Sequence, residues 1–240
     1  MRPSSSLTLT LTLTLTLTLT LTLTQVDASF LFGLIVAFAG MLGTPLGGIL
    51  TDVVSKRRRA RLPSDLPPAV AALHEAKAIV WVIFLQITLG GALLVACAAT
   101  VGPLRSKGLF LLLLGGGIFF TFGSSAGITR AIMLLVPPHM RSFAIALSVL
   151  GIHCLGDVPS PIVVGALKDA WAPRCGIVWV NDTQDLDPRC AGSSADQDGL
   201  VDVLLCATLW MFISVITWGL AVPVIGRTIR NKTDSAAAAR

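Results

Sequence analysis

The stretch RSFAIALSVLGIHCLGDVPSPIVVGALKD, residues 141–169, decides the fold of this 240-residue chain. It is apolar over a length that can cross a bilayer, which predicts a membrane helix. Its centre nevertheless holds an imidazole, His153, and a carboxylate four residues later, Asp157. Placing a carboxylate in hydrocarbon costs at least about 2.5 kcal/mol, so intramembrane acids usually face a protein-lined cavity. The pattern therefore favours transport.

The composition of the whole chain also predicts a membrane protein. Apolar residues make up 54% of the chain and charged residues only 13%, which is too apolar for the surface of a water-soluble globule. Part of the net charge of +5 lies in one basic run, residues 56–61, directly after an apolar segment. Such a run is typical of a cytoplasmic loop rather than of a nucleic-acid interface. We expect no nucleic-acid partner, no cofactor and no metal site.

Five segments are long and apolar enough to cross a hydrocarbon core of roughly 30 Å. We predict an all-α, multi-pass integral membrane protein with spans near residues 29–52, 78–101, 109–136, 142–167 and 201–225. The domain organisation that follows is a low-complexity tract at 1–28, a transmembrane bundle at 29–226 and a cytoplasmic tail at 227–240.

The amino-terminal tract contains nine Leu-Thr pairs, residues 7–24. In a bilayer it would have to form a helix, because a lone strand leaves its backbone groups unsatisfied there. Eighteen helical residues reach only about 27 Å. The tract is therefore either a marginal sixth span or an expanded repeat or signal segment without a transport role.

The distribution of Lys and Arg places residues 53–77 inside and the loop at 168–200 outside or in a lumen. Asn181 begins a glycosylation sequon in that outer loop. Cys175 and Cys190 lie in the same loop, where an oxidising compartment would permit a disulfide. The alternative is two free thiols.

Four glycines of the first span, Gly33, Gly40, Gly43 and Gly47, fall along one helix face. Small residues let membrane helices approach closely, so this face predicts a packing seam. A substrate-lining role for the same face is the second possibility.

Two prolines, Pro159 and Pro161, follow Asp157 within the fourth span. Neither can donate a backbone hydrogen bond, and each ring opposes the carbonyl four residues back, so the helix should kink and expose backbone acceptors. Val158 and Ser160, which precede the prolines, are expected to leave helical geometry. Counting from Ser142 at 1.5 Å per residue puts His153 about 17 Å deep, near the midplane.

His153 and Asp157 are four residues apart and can meet on one helix face. Because imidazole takes up protons near neutral pH, the pair could couple protonation to a conformational change, or it could be a static bond that fixes the kink. Ser160 could act as an enzymatic nucleophile beside them, but it lies between prolines without an oxyanion-hole pattern. We therefore do not expect an enzyme.

Three segments of the sequence carry a resemblance to a known family: IHCLGDVPSPIVVG at 152–165, LLVPPHMRSFAIALSVL at 134–150 and FGLIVAFAGMLGTPLGGILTD at 32–52. Together they resemble the carboxy-terminal half of Spinster-type transporters of the major facilitator superfamily. The resemblance covers about residues 29–226 and is specific at His153, Gly156, Asp157, Ser160, Pro161 and Gly165. It implies that the five spans correspond to helices eight to twelve of a twelve-helix fold.

The resemblance also implies a function, namely proton-linked transport of an amphiphilic lipid such as a lysophospholipid or a sphingolipid phosphate. The end of the first span resembles the cytoplasmic loop signature of the superfamily, in Gly48, Asp52, Lys56, Arg57 and Arg58, with Ser55 where the family usually has glycine. A carboxylate at such an interface can pair with neighbouring arginines in one conformation and release them in another.

Two features depart from the family pattern. The amino-terminal half has no counterpart here, and the Leu-Thr tract stands where helix seven should be, so the chain would supply one wall of a transport path. The missing half, or a second copy, is the expected protein partner. Arg130, inside the third span, either snorkels to the cytoplasmic face or binds an anionic headgroup in the cavity.

The leading hypothesis is a Spinster-like lipid transporter whose cavity is lined by His153, Asp157, Ser160 and Arg130. The rival is a non-transporting membrane remnant, or a partner subunit that docks through its glycine face. The sequence does not distinguish a plasma membrane from an endolysosomal membrane.

Overall fold

The computed structural model describes residues 25–104, 107–180 and 183–238. The Leu-Thr tract, and with it the predicted sixth span, lies outside the described residues, as does Asn181.

Helices dominate the described chain. Three long helices come first: α1 at Gln25–Ala60, α2 at Pro68–Leu104 and α3 at Lys107–Leu135. A single 3-10 turn at Pro138–Met140 leads into α4 at Arg141–Ile152, a π-helical turn at His153–Asp157 and α5 at Pro159–Trp171. The chain ends in α6 at Pro188–Ala191, α7 at Ser194–Leu209 and α8 at Met211–Ala238.

Five helical segments of the described chain are long and apolar enough to cross a membrane: Ser29–Ala60, Pro68–Thr100, Gly108–Leu135, Pro138–Trp171 and Ser194–Ser235. The prediction of a helical, multi-pass integral membrane protein with five spans is confirmed. The equivalence with helices eight to twelve of a larger fold stays a prediction.

Several helices extend beyond the predicted span limits. The first helix continues from the predicted end at 52 to Ala60, because a basic run at a helix carboxyl end interacts favourably with the helix dipole. The last span begins at Ser194 rather than at 201, because the Ser193 side chain accepts a hydrogen bond from the Asp196 amide and caps α7. The predicted limits followed the apolar residues, whereas the helices also include polar turns outside the hydrocarbon.

Helix α2 lies at the centre of the bundle. Its side chains Ile79, Val80 and Ile83 are fully buried, and they form one core cluster with Ala131 of α3. The same cluster includes three residues of α8: Val222, Ile225 and Ile229. Large apolar side chains elsewhere are exposed, as expected where a membrane protein meets lipid tails.

The segment between α5 and α7 forms a small disulfide-bonded unit. Cys175 and Cys190 are joined with their Cα atoms 4.7 Å apart, and both are buried against Ala172. The strands β1 at Ile177–Val180 and β2 at Thr183–Leu186 form an antiparallel hairpin inside this covalent loop, with Ile177 opposite Leu186. The hairpin is an addition to the predicted all-helical fold.

Candidate functional site

A glycine-lined contact brings α1 and α3 together. A Cβ at Gly43 would lie 2.5 Å from the Phe119 carbonyl oxygen, and a Cβ at Gly47 would overlap the carbonyl of Gly123. Further along, Gly127 lies beside the Thr51 hydroxyl. Residue numbers rise together on both helices, so the helices run parallel and their backbones touch.

The remaining glycines of the predicted seam differ in their surroundings. Gly40 faces the Phe122 ring and Gly48 faces Ala126, but a Cβ at Gly33 would meet nothing within 4 Å. From Gly40 to Gly48 the seam therefore packs against α3 of the same chain. A partner subunit cannot dock on the part of this face that α3 already occupies.

One turn beyond the glycine contact, Arg130 of α3 joins three side chains from two other helices. Its guanidinium forms an ion pair with Asp52 of α1 and donates through Nη2 to the Ser55 hydroxyl and to Glu75 Oε1 of α2, both at 2.9 Å. The Ser55 hydroxyl also donates to Glu75. We call Asp52, Ser55, Glu75 and Arg130 the charge cluster.

Burial differs sharply within the charge cluster. The Glu75 side chain is 7% exposed, whereas that of Asp52 is 51% exposed. A buried carboxylate needs a paired cation, so Glu75 depends on Arg130 more than Asp52 does. Ser55 is buried and supplies a hydroxyl that binds both charges.

The other residues of the predicted loop motif lie around the charge cluster. Lys56 and Arg57 are exposed at the end of α1, and Arg58 donates through Nη2 to His74 Nδ1 at 3.2 Å. The side chain that donates to Asp52 is thus not part of the neighbouring basic run but an arginine 78 residues away. We call this end of α1, α2 and α3 the basic end.

The second candidate site is the π turn between α4 and α5. The Val158 amide donates to the His153 carbonyl five residues back, at 3.0 Å. Widening the turn moves carbonyls out of the path of the Pro159 ring, which would collide with them in a regular α-helix. Val158 keeps helical dihedrals, φ −76° and ψ −50°, and Ser160 lies within the helix α5, so the expectation that these two residues leave helical geometry was wrong.

His153 and Asp157 meet inside this turn. The distance from His153 Nδ1 to Asp157 Oδ2 is 2.6 Å, and both side chains are 61% exposed. Ser160 follows, exposed, in the first turn of α5. None of the residues from Arg141 to Trp171 is buried, so the whole bent span presents its side chains to its surroundings.

The predicted cavity residues therefore fall into two separate groups. His153, Asp157 and Ser160 lie together on the bent span, while Arg130 belongs to the charge cluster. The sequence pattern predicts a loop over residues 53–77, so Glu75 is not among the predicted site residues. Two signals could have found it: Gly123 and Gly127 repeat the four-residue spacing of Gly43 and Gly47, and Glu75 lies three residues before the apolar run that begins at Ala78.

The chain is similar to known membrane transporters. The sequence profile of the Organic Anion Transporter Polypeptide (OATP) family matches residues 104–190. "Probable sphingolipid transporter spinster homolog 3" of Arabidopsis thaliana is 29% identical over 143 residues, which is 60% of this chain and 24% of that protein. "Protein spinster" of Drosophila melanogaster is 30% identical over 146 residues, 61% of this chain and 21% of its own length.

A shorter match extends to a solute carrier organic anion transporter family member of Mus musculus, 34% identical over 91 residues, 36% of this chain and 12% of that protein. The chain spans about a quarter or less of the length of the Spinster relatives. No solved structure matches the chain. The resemblance to Spinster-type transporters of the major facilitator superfamily is confirmed over about 60% of the chain.

Proposed function

We propose that the chain forms part of a major facilitator transporter that carries a lysophospholipid or a sphingolipid phosphate with proton coupling. The observation that carries the proposal is the His153–Asp157 pair, bonded at 2.6 Å inside a π turn of a membrane span. The names of the relatives, which include a probable sphingolipid transporter, support the same substrate class.

The pair has the chemistry that proton coupling needs. When Asp157 is ionised, His153 Nδ1 donates to its carboxylate, and the other ring nitrogen is left to take up or release a proton. A protonated pair carries less negative charge than an unprotonated one. Uncompensated charge is costly in hydrocarbon. The unprotonated pair therefore favours a conformation in which the bent span is exposed to water, whereas the protonated pair tolerates one in which it is exposed to hydrocarbon.

The surroundings of the pair suit an amphiphilic substrate. Pro159 and Pro161 lack amide hydrogens, so backbone carbonyls of the π turn are left as acceptors for polar headgroup atoms. Large apolar side chains are exposed within the turn and on both sides of it, and Leu155 in the turn and Ile162 after it are the most exposed of them. A headgroup at the turn with an acyl chain along the span would match both features.

The charge cluster supplies a contact that can open and close. Arg130 ties α1, α2 and α3 at the basic end, and its bond with Asp52 is half-exposed. Because such a bond is only weakly stabilising, a conformational change can break it at low cost while the buried bond with Glu75 persists. We propose that this contact closes the basic end in one state of the transport cycle.

Flux measurements on the full-length gene product test the proposal. Proteoliposomes containing wild type, Asp157→Asn or Cys154→Ser would be given a fluorescent lysophospholipid, and in parallel a sphingosine phosphate, at pH 6 and pH 8. Cys154 is the matched control, because it is a free, exposed cysteine in the same π turn and is not part of the His153–Asp157 pair. We expect pH-dependent flux in the wild type and in Cys154→Ser, and loss of the pH dependence in Asp157→Asn.

Unchanged pH-dependent flux in Asp157→Asn would refute the coupling role, and absence of flux for both lipids in the wild type would refute the substrate class.

A second candidate, a non-transporting partner subunit, is favoured by the bent span, none of whose residues is buried. Such a subunit would show no flux but would elute as a stable hetero-complex in detergent.

A further inference from the structure

A groove opens at the basic end between α1, α2 and α8. Its volume is about 450 Å³, and its principal lining residues are Arg58, His74, Lys77, Trp81, Leu85 and Ile229. We call it the basic groove. It shares no residue with the charge cluster or the bent span.

The basic groove carries positive charge without an acidic counterpart. Arg58 has only donors, so its bond to His74 Nδ1 makes that nitrogen an acceptor and leaves the hydrogen on Nε2. Lys77 lies across α8, with its ammonium 3.1 Å from where a Cβ of Gly226 would be. Among the residues that line the groove in the described chain there is no carboxylate.

The nearby acids are already engaged. Asp52 and Glu75 both form their ion pairs with Arg130 rather than with Arg58 or Lys77. Two cationic side chains and one imidazole thus line the same groove. A phosphate fits this set, because its oxygens accept from several cationic donors at once.

An apolar channel continues from the basic groove towards the bilayer interior. A second cavity of about 330 Å³ shares Lys77 and Trp81 and is walled further on by Phe84, Gly219, Val222 and Pro223. From His74 to Phe84 the helix rises about 15 Å. Gly219 makes room for Phe84 as Gly226 does for Lys77, so the channel runs along two matched glycines of α8.

We propose that the basic groove binds the phosphate of an anionic phospholipid from the surrounding leaflet, with one acyl chain lying in the apolar channel. Trp81 is 46% exposed and Leu85 58% exposed, so the groove is open on the side that faces lipid. The positive-inside distribution puts this end in the cytoplasmic leaflet, where anionic lipids are concentrated. The bound lipid is a resident partner of the membrane surface, and its binding does not depend on transport.

Trp81 provides a direct readout, because bromine atoms on an acyl chain quench a nearby indole. The full chain would be placed in nanodiscs that contain phosphatidylcholine and a small fraction of dibrominated lipid, either phosphatidate or phosphatidylcholine. The same titration on Trp81→Phe identifies the part of the signal that comes from Trp81. We expect brominated phosphatidate to quench Trp81 at several-fold lower mole fraction than brominated phosphatidylcholine.

Substitutions in the basic groove distinguish a specific phosphate site from general electrostatic attraction between the protein and anionic lipid. Lys77→Gln and Arg58→Gln should each reduce the preference for phosphatidate about fivefold, because each removes one charge-assisted hydrogen bond to the bound phosphate. Lys77→Arg should retain it. Arg57→Gln is the matched control. It removes the same charge from the residue directly before Arg58, and Arg57 does not line the groove.

Three results would overturn the proposal. Equal quenching by the two brominated lipids in the wild type would exclude headgroup selection. A loss in Arg57→Gln as large as in Lys77→Gln would make the effect one of net charge alone. Displacement of the lipid by glycerol 3-phosphate at equal concentration would make this a site for free phosphate. Thermal unfolding of each variant, run in parallel, shows that the compared proteins are folded.

Discussion

Arg130 and Asp52 lie 78 residues apart in the chain and form an ion pair where α1 and α3 run side by side. The pair exists because two backbones touch at Gly43 and Gly47, which brings the next turns of both helices within reach of a side chain. The close contact at these two glycines thus positions the charged side chain of Arg130. The same guanidinium also binds Glu75, so three helices meet at one cation.

The two acids of the charge cluster should differ in their importance for stability. Replacing Arg130 by Gln leaves the buried Glu75 carboxylate without its cation, and we expect a loss of about 3 kcal/mol. Asp52→Asn should cost less than about 1 kcal/mol, because Asp52 is half-exposed. Thermal unfolding in detergent measures both, with Arg57→Gln as the control for loss of charge.

A double variant makes this comparison sharper. Adding Glu75→Gln to Arg130→Gln should restore part of the lost stability, because the unpaired buried charge is removed with its partner. A double variant as unstable as the sum of the two single variants would contradict a direct bond between these residues.

The glycine contact predicts a position-specific packing defect. Gly47→Ala puts a methyl group into the Gly123 carbonyl, which should separate α1 from α3 at a cost of about 1–3 kcal/mol. The matched control is Gly33→Ala on the same helix, where a Cβ meets nothing within 4 Å. We expect the midpoint of thermal unfolding to fall only for Gly47→Ala, and equal effects of the two substitutions would be evidence against the contact.

The Cys175–Cys190 disulfide closes a loop between positions 15 residues apart. Removing it by Cys175→Ser should destabilise the chain by about 3 kcal/mol in the chain-entropy description. Cys206→Ser, which changes an exposed free thiol, should have little effect. Mass analysis of alkylated protein before and after reduction provides the check, since wild type should gain two modified thiols on reduction and Cys175→Ser none from this loop.

The outer segment should also make stability depend on pH. Hydrogen bonds from the Arg189 side chain and amide hold the pKa of Asp187 below its ordinary value. A carboxyl group with a lowered pKa in the folded state stabilises that state above the ordinary Asp value, and this contribution is lost as the pH falls through the folded pKa. Stability should therefore decline on strong acidification.

Asp187→Asn isolates that effect. The variant should lose about 2–4 °C of thermal stability at neutral pH, because the ionic cap of α6 is weakened, and should lose less than wild type on acidification. Asp65→Asn, exposed in the connection between α1 and α2, removes the same charge as a control. An acid sensitivity equal to that of wild type would rule out Asp187 as its source.

Much of the fold follows from local sequence, and the reasons are physical. The five spans are predictable because apolar length is a local property, and hydrocarbon enforces helices over that length. Cys175 and Cys190 could be considered together because they share one outer loop. The prolines at 159 and 161 predicted a disturbed helix, but whether the chain breaks or widens into a π turn depends on how the surrounding carbonyls can shift.

The charge cluster was harder to predict because its bonds cross between helices. Glu75 and Arg130 are separated by 55 residues, and no local pattern states which helices are neighbours. Arg130 was accordingly grouped with His153 and Asp157, whereas its observed partners are Asp52, Ser55 and Glu75. The repeated glycine spacing on α1 and α3 is the sequence signal that links the two helices, since it predicts close contact between them.

The most direct test of proton coupling at the bent span is substrate-driven proton movement. Proteoliposomes of the full-length gene product would contain a pH-sensitive dye, and lysophospholipid would be added outside without an imposed pH gradient. We predict a lumenal pH change in the wild type and in Cys154→Ser, and none in Asp157→Asn or His153→Gln. Lipid uptake without any proton movement in the wild type, or an undiminished pH change in Asp157→Asn, would contradict the account.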